Sequence, residues 1–535
     1  MLAGAGAGGG DVVQRLEETV MFLMDPPSME RDKAAGARAM AFEKSVRESW
    51  DGLQLSLRML SESKQPQVKF WCLQALLAAI DSGRYAALEP GQRDAVKQAL
   101  MGWMQGSAGT AEAYVKNKFA SLLVELYLTG DWPSFFHDLI AAVPRGHHVA
   151  DVFIRTLRCV DEEIGCREAQ ADLQQRARNT IIKDTMRQEC MPLLIDACFT
   201  IIESASGESA LTPLARSCLE IVPAYTSWIS LDLIACDRFL QMLLKFLSVE
   251  DLREAAADNL HAIVCKQMPP EDKLPLLQRL QLLPLLQEGA RLVQEGAAVE
   301  HVTFVAQLAS LTSAFATECM DCSDRLYSRA GMPEEADRFL LACVPLVLTY
   351  MSALDHGPSS ACCVEFLQEY LNRLRKVCGR KQAAESVTAP HVELVAPLVD
   401  VLYSKMMYQA DFSFDHPAED ETDFLARRKE LCVLYRTAAC IDEAAALQRA
   451  LTAVGELEPA NGKQVAFSAV EGALTLLLQL TEAAKAAQGA KSLEKAEVQG
   501  AAHARDSAVA RLLAVGPELH VQYAAQRCVI GAYLR

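Results

Sequence analysis

Aromatic residues make up only 7% of this 535-residue chain, and strand-like alternation of apolar and polar positions is scarce. Strand faces draw on β-branched and aromatic side chains, so this poverty, beside abundant Ala and Leu, excludes a mainly β fold and favours helices throughout. The chain also lacks a phosphate-cradling Gly-rich loop, an H-E-x-x-H helix and a G-x-S-x-G nucleophile turn. Without those constellations there is no catalytic residue to name and no cofactor to hold, and the expectation is a binding protein rather than an enzyme. Positive charge is short as well: 52 Lys and Arg against 69 Asp and Glu leave a formal net charge of -17. A uniformly nucleic-acid-coated protein is excluded by that balance, because releasing counterions from phosphates needs cations at the contact surface. Any basic surface must be local, with acid segregated elsewhere.

Long apolar runs are missing too. The best one, from Phe339 to Tyr350 and onward, falls short of the ~20 apolar residues that span a bilayer, and reads as a buried helix with no membrane insertion. Residues 1–10, Met-Leu-Ala-Gly-Ala-Gly-Ala-Gly-Gly-Gly, have neither a basic start nor a sustained apolar core, and read as a flexible leader. The 17 Cys show no regular spacing, which points to a reducing intracellular compartment and to cysteines used as small core residues. Cys319-Met-Asp-Cys322 has the spacing of half a zinc site, but Cys362-Cys363 supplies no matching second half, so no metal site is expected.

What is present is a succession of amphipathic or all-round apolar helical segments with short breaks. They are predicted over 12–24, 37–61, 66–82, 90–105, 111–129 and 133–143. In the third, Val68, Cys72, Leu73, Leu76, Leu77 and Ile80 follow helical spacing, with Pro66 at a position whose N–H would have no partner. A further pair joins 236–246 to 249–265, with Ser248 and Asp251 predicted to cap the second helix. Pro269-Pro270 then breaks the chain, and Glu271 with Asp272 brings negative charge to the next helix start. Residues 167–204 suggest one enlarged helix bent near Pro192. Loops are expected at 204–209, 356–360, 379–390 and 409–422. Helix pairs recurring at roughly 40–47 residues, none able to bury its faces alone, predict an all-α, HEAT-like helical-repeat superhelix of roughly a dozen units.

Three groups of side chains stand out. On 178–187 (Arg-Asn-Thr-Ile-Ile-Lys-Asp-Thr-Met-Arg) the apolar Ile181, Ile182 and Met186 are expected to face neighbouring helices. Arg178, Lys183 and Arg187 then share an exposed side suited to tracking phosphates, or simply pair with Asp184 and Glu189. Lys116 and Lys118 allow the same two readings. Lys69, Phe70 and Trp71 lie on a helix apolar on nearly every side, which makes them core residues or part of an interface. Glu419, Asp420, Glu421 and Asp423 form an acidic cluster, read either as a solvated loop or as a contact for a basic partner.

The chain resembles the tRNA exportin family. The likeness rests on the 178–192 stretch through Gln188-Glu-Cys-Met-Pro192, on Gln67-Val-Lys-Phe-Trp-Cys-Leu-Gln74, Tyr114-Val-Lys-Asn-Lys118, Trp132-Pro-Ser-Phe-Phe136, Ala224-Tyr-Thr-Ser-Trp228, Asp237-Arg-Phe239 and Leu252-Arg-Glu254. Later come Asp411-Phe-Ser-Phe414, the acidic cluster, and Phe424 with Arg427, Arg428 and Lys429. The resemblance divides the chain into a leader (1–10), N-terminal HEAT-like repeats that bind Ran (11–105), an exportin-1/importin-beta-like region (106–285), and further repeats with an acidic loop near 409–424 (286–480). An Ala/Lys/Glu-rich insertion (481–506) and a final helix or truncated repeat (507–535) complete it.

It implies a monomeric receptor that binds tRNA together with the GTP-bound Ran GTPase, passes nucleoporins, and shuttles between nucleus and cytoplasm. Arg178, Lys183, Arg187, Lys116 and Lys118 would meet tRNA, with contact to Ran also open for Lys116 and Lys118; Lys69, Phe70, Trp71 and the acidic cluster would meet Ran. Family members are longer, so the resemblance also implies a chain that stops mid-array at Arg535. Two alternatives stay open: a truncated HEAT-repeat scaffold, and an exportin-like receptor for another cargo.

Overall fold

The structure, a computed structural model, describes residues 9–165, 172–297, 301–326, 332–354, 358–378, 385–409, 419–457 and 466–488. Among them every regular element is a helix, and the fold is all-α, of the HEAT-like helical-repeat class. Most of the predicted leader, the stretch Asp411–Phe414 and everything after 488, including most of the 481–506 insertion, lie outside the described residues. The chain divides into two compact units, Met1–Asn259 and Leu260–Arg535.

In the first unit, helices stack in two rows. One row runs through Pro66–Asp81, Ala113–Leu128, His147–Ile164 and Thr212–Thr226, each packed on the next; the other holds Trp50–Glu62, Pro90–Gly106, Phe135–Ala142 and Met191–Ser206. Both rows are tied by aromatic donors reaching carbonyls of the adjacent helix. In the first row the Tyr225 hydroxyl donates to the Leu157 carbonyl at 2.7 Å; in the second, Trp103 Nε1 donates to the Leu60 carbonyl at 3.0 Å. Each satisfies the one polar atom of a buried aromatic, so it fixes the stacking register at no desolvation penalty.

Helix boundaries follow the sequence where a proline or a cap marks them. Pro66 opens Pro66–Asp81, and Pro270 opens Pro270–Leu280 with Glu271 and Asp272 in its first turn. Elsewhere the structure corrects the expectation. The predicted helix 37–61 is two helices, Lys33–Glu48 and Trp50–Glu62, broken at Ser49. The Ser49 hydroxyl accepts from Gly52 N at 3.0 Å and donates to the Val46 carbonyl at 2.8 Å. A Cβ at position 52 would lie 2.0 Å from that carbonyl oxygen, so only glycine fits the sharp turn.

Residues 167–204 are likewise not one bent helix. Leu173–Glu189 and Met191–Ser206 are separated by Cys190, whose φ of -133 leaves helical geometry, with Pro192 taken into the first turn of the second helix. Ser248 does not cap the following helix: its hydroxyl donates back to Lys245 O at 2.8 Å, and that helix starts at Arg253.

The second unit packs Val302–Arg325, Met332–Ala353 and Pro358–Cys378 together, and then Val395–Met406, Glu419–Ile441, Glu443–Gly455 and Phe467–Gln488. The expected loop 379–390 is helical from Glu385 in Glu385–Glu393. Pro333–Ala353 is longer than the apolar run seen in the sequence, and by length and composition alone it could cross a membrane. It packs along Val302–Arg325, with Leu340, Cys343, Val344, Val347 and Tyr350 fully buried.

Candidate functional site

One cleft of the first unit lies on the row of Ala113–Leu128, His147–Ile164 and Thr212–Thr226. Its volume is about 610 Å³, and it is lined by Phe70, Tyr114, Lys118, Arg155, Arg158 and Ser217 among others. Phe70 and Tyr114 form its aromatic end, with ring centroids 5.6 Å apart. Lys118 carries no ion pair among the described residues. The carboxylates Glu125, Asp151, Glu162 and Glu163 line the same cleft, so it is a mixed-charge surface and not a simple anion funnel.

Across the same row runs a ladder of ion pairs. Asp151 is shared by Lys116 Nζ at 3.0 Å and Arg155 Nε at 2.7 Å. Arg155 also reaches Asn117 on the preceding helix. Glu220 is shared by Arg158 at 3.5 Å and Arg216 at 3.1 Å, and Arg216 extends to Glu254 at 3.3 Å. Glu254 belongs to the helix Arg253–Cys265, whose buried Asn259 donates to the Leu219 carbonyl at 2.8 Å. Four cations thus lean on three carboxylates over four successive helices. Lys116 is one of them, so a predicted site residue is a half-buried, ion-paired rung.

The basic helix Leu173–Glu189 stands at the edge of this unit, with only Asn179 and Met186 buried. Ile181, expected to face a neighbouring helix, is 66% exposed. Arg178 also departs from the expectation: at about 3.6 residues per turn, positions nine apart fall on opposite sides of a helix and positions eleven apart coincide. Arg187 therefore shares its flank with Lys183 and Arg176, while Arg178 lies across the helix, its guanidinium beside the Asn179 side-chain oxygen at 3.3 Å. Arg176, not singled out from the sequence, is the third cation on that flank, and counting by turns would have found it.

Arg187 is held in place by three contacts. Its Nε donates to the Trp228 carbonyl at 2.7 Å, its guanidinium lies 5.5 Å from the Trp228 ring, and Asp184 pairs with it at 2.5 Å.

The aromatic pair on the earlier helix divides. Trp71 is 5% exposed and its Nε1 donates to Glu43 Oε1 at 2.7 Å, so the indole is a core residue and offers nothing to a partner. Lys69 and Phe70, half-buried on the same helix, remain at the surface. In the second unit, Glu419, Asp420, Glu421 and Asp423 fall within the helix Glu419–Ile441 instead of in a loop. Asp423 is exposed and 3.9 Å from Arg427. Arg428, next in line, is an interior residue: it forms a two-pronged pair with Glu471 at 2.8 and 2.6 Å and lies against Tyr408 and Phe424. Burial pushes the Cys322 thiol up to about 11, which makes it an inert core group and a poor ligand.

Comparison with known proteins agrees with this architecture. The profile of the family described as "Exportin 1-like protein" matches residues 112–260, and that of "Exportin-T" matches residues 331–525. Exportin-T of Danio rerio is 31% identical over 488 residues, covering 89% of this chain and 48% of its own length. Exportin-T of Homo sapiens is 30% identical over 493 residues with the same coverage, and Exportin-T of Arabidopsis thaliana is 25% identical over 439 residues, covering 79% of this chain and 43% of its own. The chain spans about half the length of the curated relatives it matches. Over 89% of its length the chain is similar to members of the exportin-T family, and what it matches is the N-terminal part of them.

Proposed function

We propose that this chain acts in a nuclear export receptor that binds tRNA cooperatively with the GTP-bound Ran GTPase, passes nucleoporins as a monomer and shuttles between nucleus and cytoplasm. The observation that carries this reading is the relatedness to Exportin-T, which extends over 89% of the chain. Geometry supports it in two ways. The cations Lys116, Lys118, Arg155, Arg158 and Arg216 share one helical row, and Arg176, Lys183 and Arg187 share one helix flank. In this reading they meet phosphates and recognise the folded RNA by backbone and shape, since a deep A-form major groove is closed to side chains. Arg178 contributes from the opposite flank.

Phe70 and Lys118 line one cleft. A Ran surface over Lys69 and Phe70 and an RNA backbone over Lys118 would then share walls, which gives their binding a physical route to coupling. Such coupling is reciprocal: whatever factor Ran adds to tRNA affinity, tRNA adds to Ran affinity. The acidic cluster at Glu419, Asp420, Glu421 and Asp423 is a second contact for a basic Ran surface. Hydrolysis of GTP on Ran removes one partner and lets the RNA go.

Titration of labelled tRNA with and without GTP-loaded Ran, at two salt concentrations, tests the proposal. The expected result is tighter binding with Ran and a steep loss with salt. Affinity indifferent to Ran would refute the coupled reading. The carboxylates in the cleft favour one competitor, a scaffold for a basic protein partner, which predicts no saturable tRNA retention at either salt concentration.

A further inference from the structure

The first unit's helical row keeps Lys116, Arg155, Arg158 and Arg216 paired. Asp151 takes two, Glu220 takes two, and Glu254 takes the free arm of Arg216. We infer that Glu220 and Glu254 act as built-in competitors of phosphate, occupying Arg158 and Arg216 so that a polyanion must displace a carboxylate for each arginine it gains. The inference rests on the proposed RNA-binding reading and deepens it by naming residues that set the strength of that binding.

Three observations carry it. These pairs are open to solvent, with side-chain exposures of 50% and 40% for Arg158 and Glu220 and 45% and 30% for Arg216 and Glu254. Exposed pairs of this kind are held by little free energy, so a dense phosphate backbone can replace them. The carboxylates sit between helices and not merely one turn along: Arg158 and Glu220 are on His147–Ile164 and Thr212–Thr226, Arg216 and Glu254 on Thr212–Thr226 and Arg253–Cys265. Any backbone crossing the row therefore meets a carboxylate at each arginine. Finally, structural stitching of the row is already supplied by buried bonds, Tyr225 to Leu157 and Asn259 to Leu219, so the exposed ladder is not needed to hold the helices in register. A carrier that must let its load go benefits from such self-competition, because the carboxylates re-form their pairs as the phosphate leaves.

The test is fluorescence anisotropy of the full chain with two probes, labelled tRNA and labelled oligo(U), for the wild type and for Glu220→Gln, Glu254→Gln and Glu203→Gln. Glu203 pairs with Arg238 at 2.6 Å on the other row, so its variant makes the same charge change away from the ladder. Glu220→Gln should bind both probes about three- to tenfold more tightly, with the salt dependence steepened by about one phosphate contact. Glu254→Gln should act in the same direction more weakly, and Glu203→Gln should leave both constants unchanged. Thermal melts confirm that each variant is folded, and Glu254→Gln, which removes one of the two carboxylates on Arg216 and leaves Glu220 in place, keeps the test valid if Glu220→Gln fails to fold. Unchanged oligo(U) binding in the ladder variants, or an equal gain in Glu203→Gln, overturns the inference. The oligo(U) arm decides this even if wild-type tRNA binding, and with it the proposed function, fails.

Discussion

Two sets of ion pairs, one in each unit, differ in how far they are open to water. In the first, the ladder pairs on Glu220 are near half exposed, as in Arg158–Glu220 and Arg216–Glu220. In the second, Arg428 and Glu471 are 7% and 1% exposed, and Lys273, at 2%, reaches Glu318 and the carbonyls of Val264 and Lys266. A buried pair is bound to the fold, because losing one partner strands a charge away from water. An exposed pair is exchangeable, because water or a ligand can take either side. The contrast separates Arg428–Glu471 and Lys273–Glu318, which hold helices together, from Arg158–Glu220 and Arg216–Glu254, which are open to exchange with a ligand.

Substitutions can break this contrast, and the largest effect belongs to the buried pair. Glu471→Ala strands Arg428 and should lower unfolding free energy by about 3–5 kcal/mol, read as a fall in the urea midpoint. Lys273→Ala comes next. It leaves Glu318 and two carbonyls without their shared donor, for a loss of about 2–3 kcal/mol by the same measurement.

A pH effect follows from the cluster around Asp337, which accepts from His391 Nε2 at 2.9 Å and lies 3.4 Å from Arg373. Burial pushes the Asp337 carboxyl up, but the His391 hydrogen bond and the charges of His391 and Arg373 outweigh it and hold the group below the ordinary carboxylate value. A depressed folded value stabilises the protein above the unfolded one, and that contribution is lost as pH falls through the folded one. Asp337→Asn should therefore be less stable than wild type at neutral pH, with the gap closing below about pH 4. Denaturant melts across pH 3–7 would show it. The smallest expected effect on stability is that of Arg216→Gln, within about 0.5 kcal/mol, although its tRNA binding should lose about one phosphate contact from the salt slope.

Local chemistry was legible and distant pairing was not. Pro66, Pro270 with Glu271 and Asp272, and the apolar spacing around Val68 and Cys72 mark helix starts and faces because each depends on neighbours within one turn. The break at Ser49 was hidden, since it needs both a serine cap and the glycine three residues on. The division at Cys190 was masked by helix-forming residues on either side. Within the candidate site, Asp151–Arg155 and Arg216–Glu220 sit four apart and could be read from spacing. Arg158–Glu220 joins residues 62 apart, and no periodicity reports that. The burial of Trp71 depended on Glu43, 28 residues earlier, supplying an acceptor for the indole.

Photo-cross-linking of bound tRNA to this chain, with the attached peptides identified by mass spectrometry, bears most directly on the contrast between exchangeable and buried pairs. The account predicts cross-links on Ala113–Leu128, His147–Ile164, Leu173–Glu189 and Thr212–Thr226, weakened by excess salt. Cross-links confined to the helices that carry Lys273, Arg428 and Glu471 would contradict it.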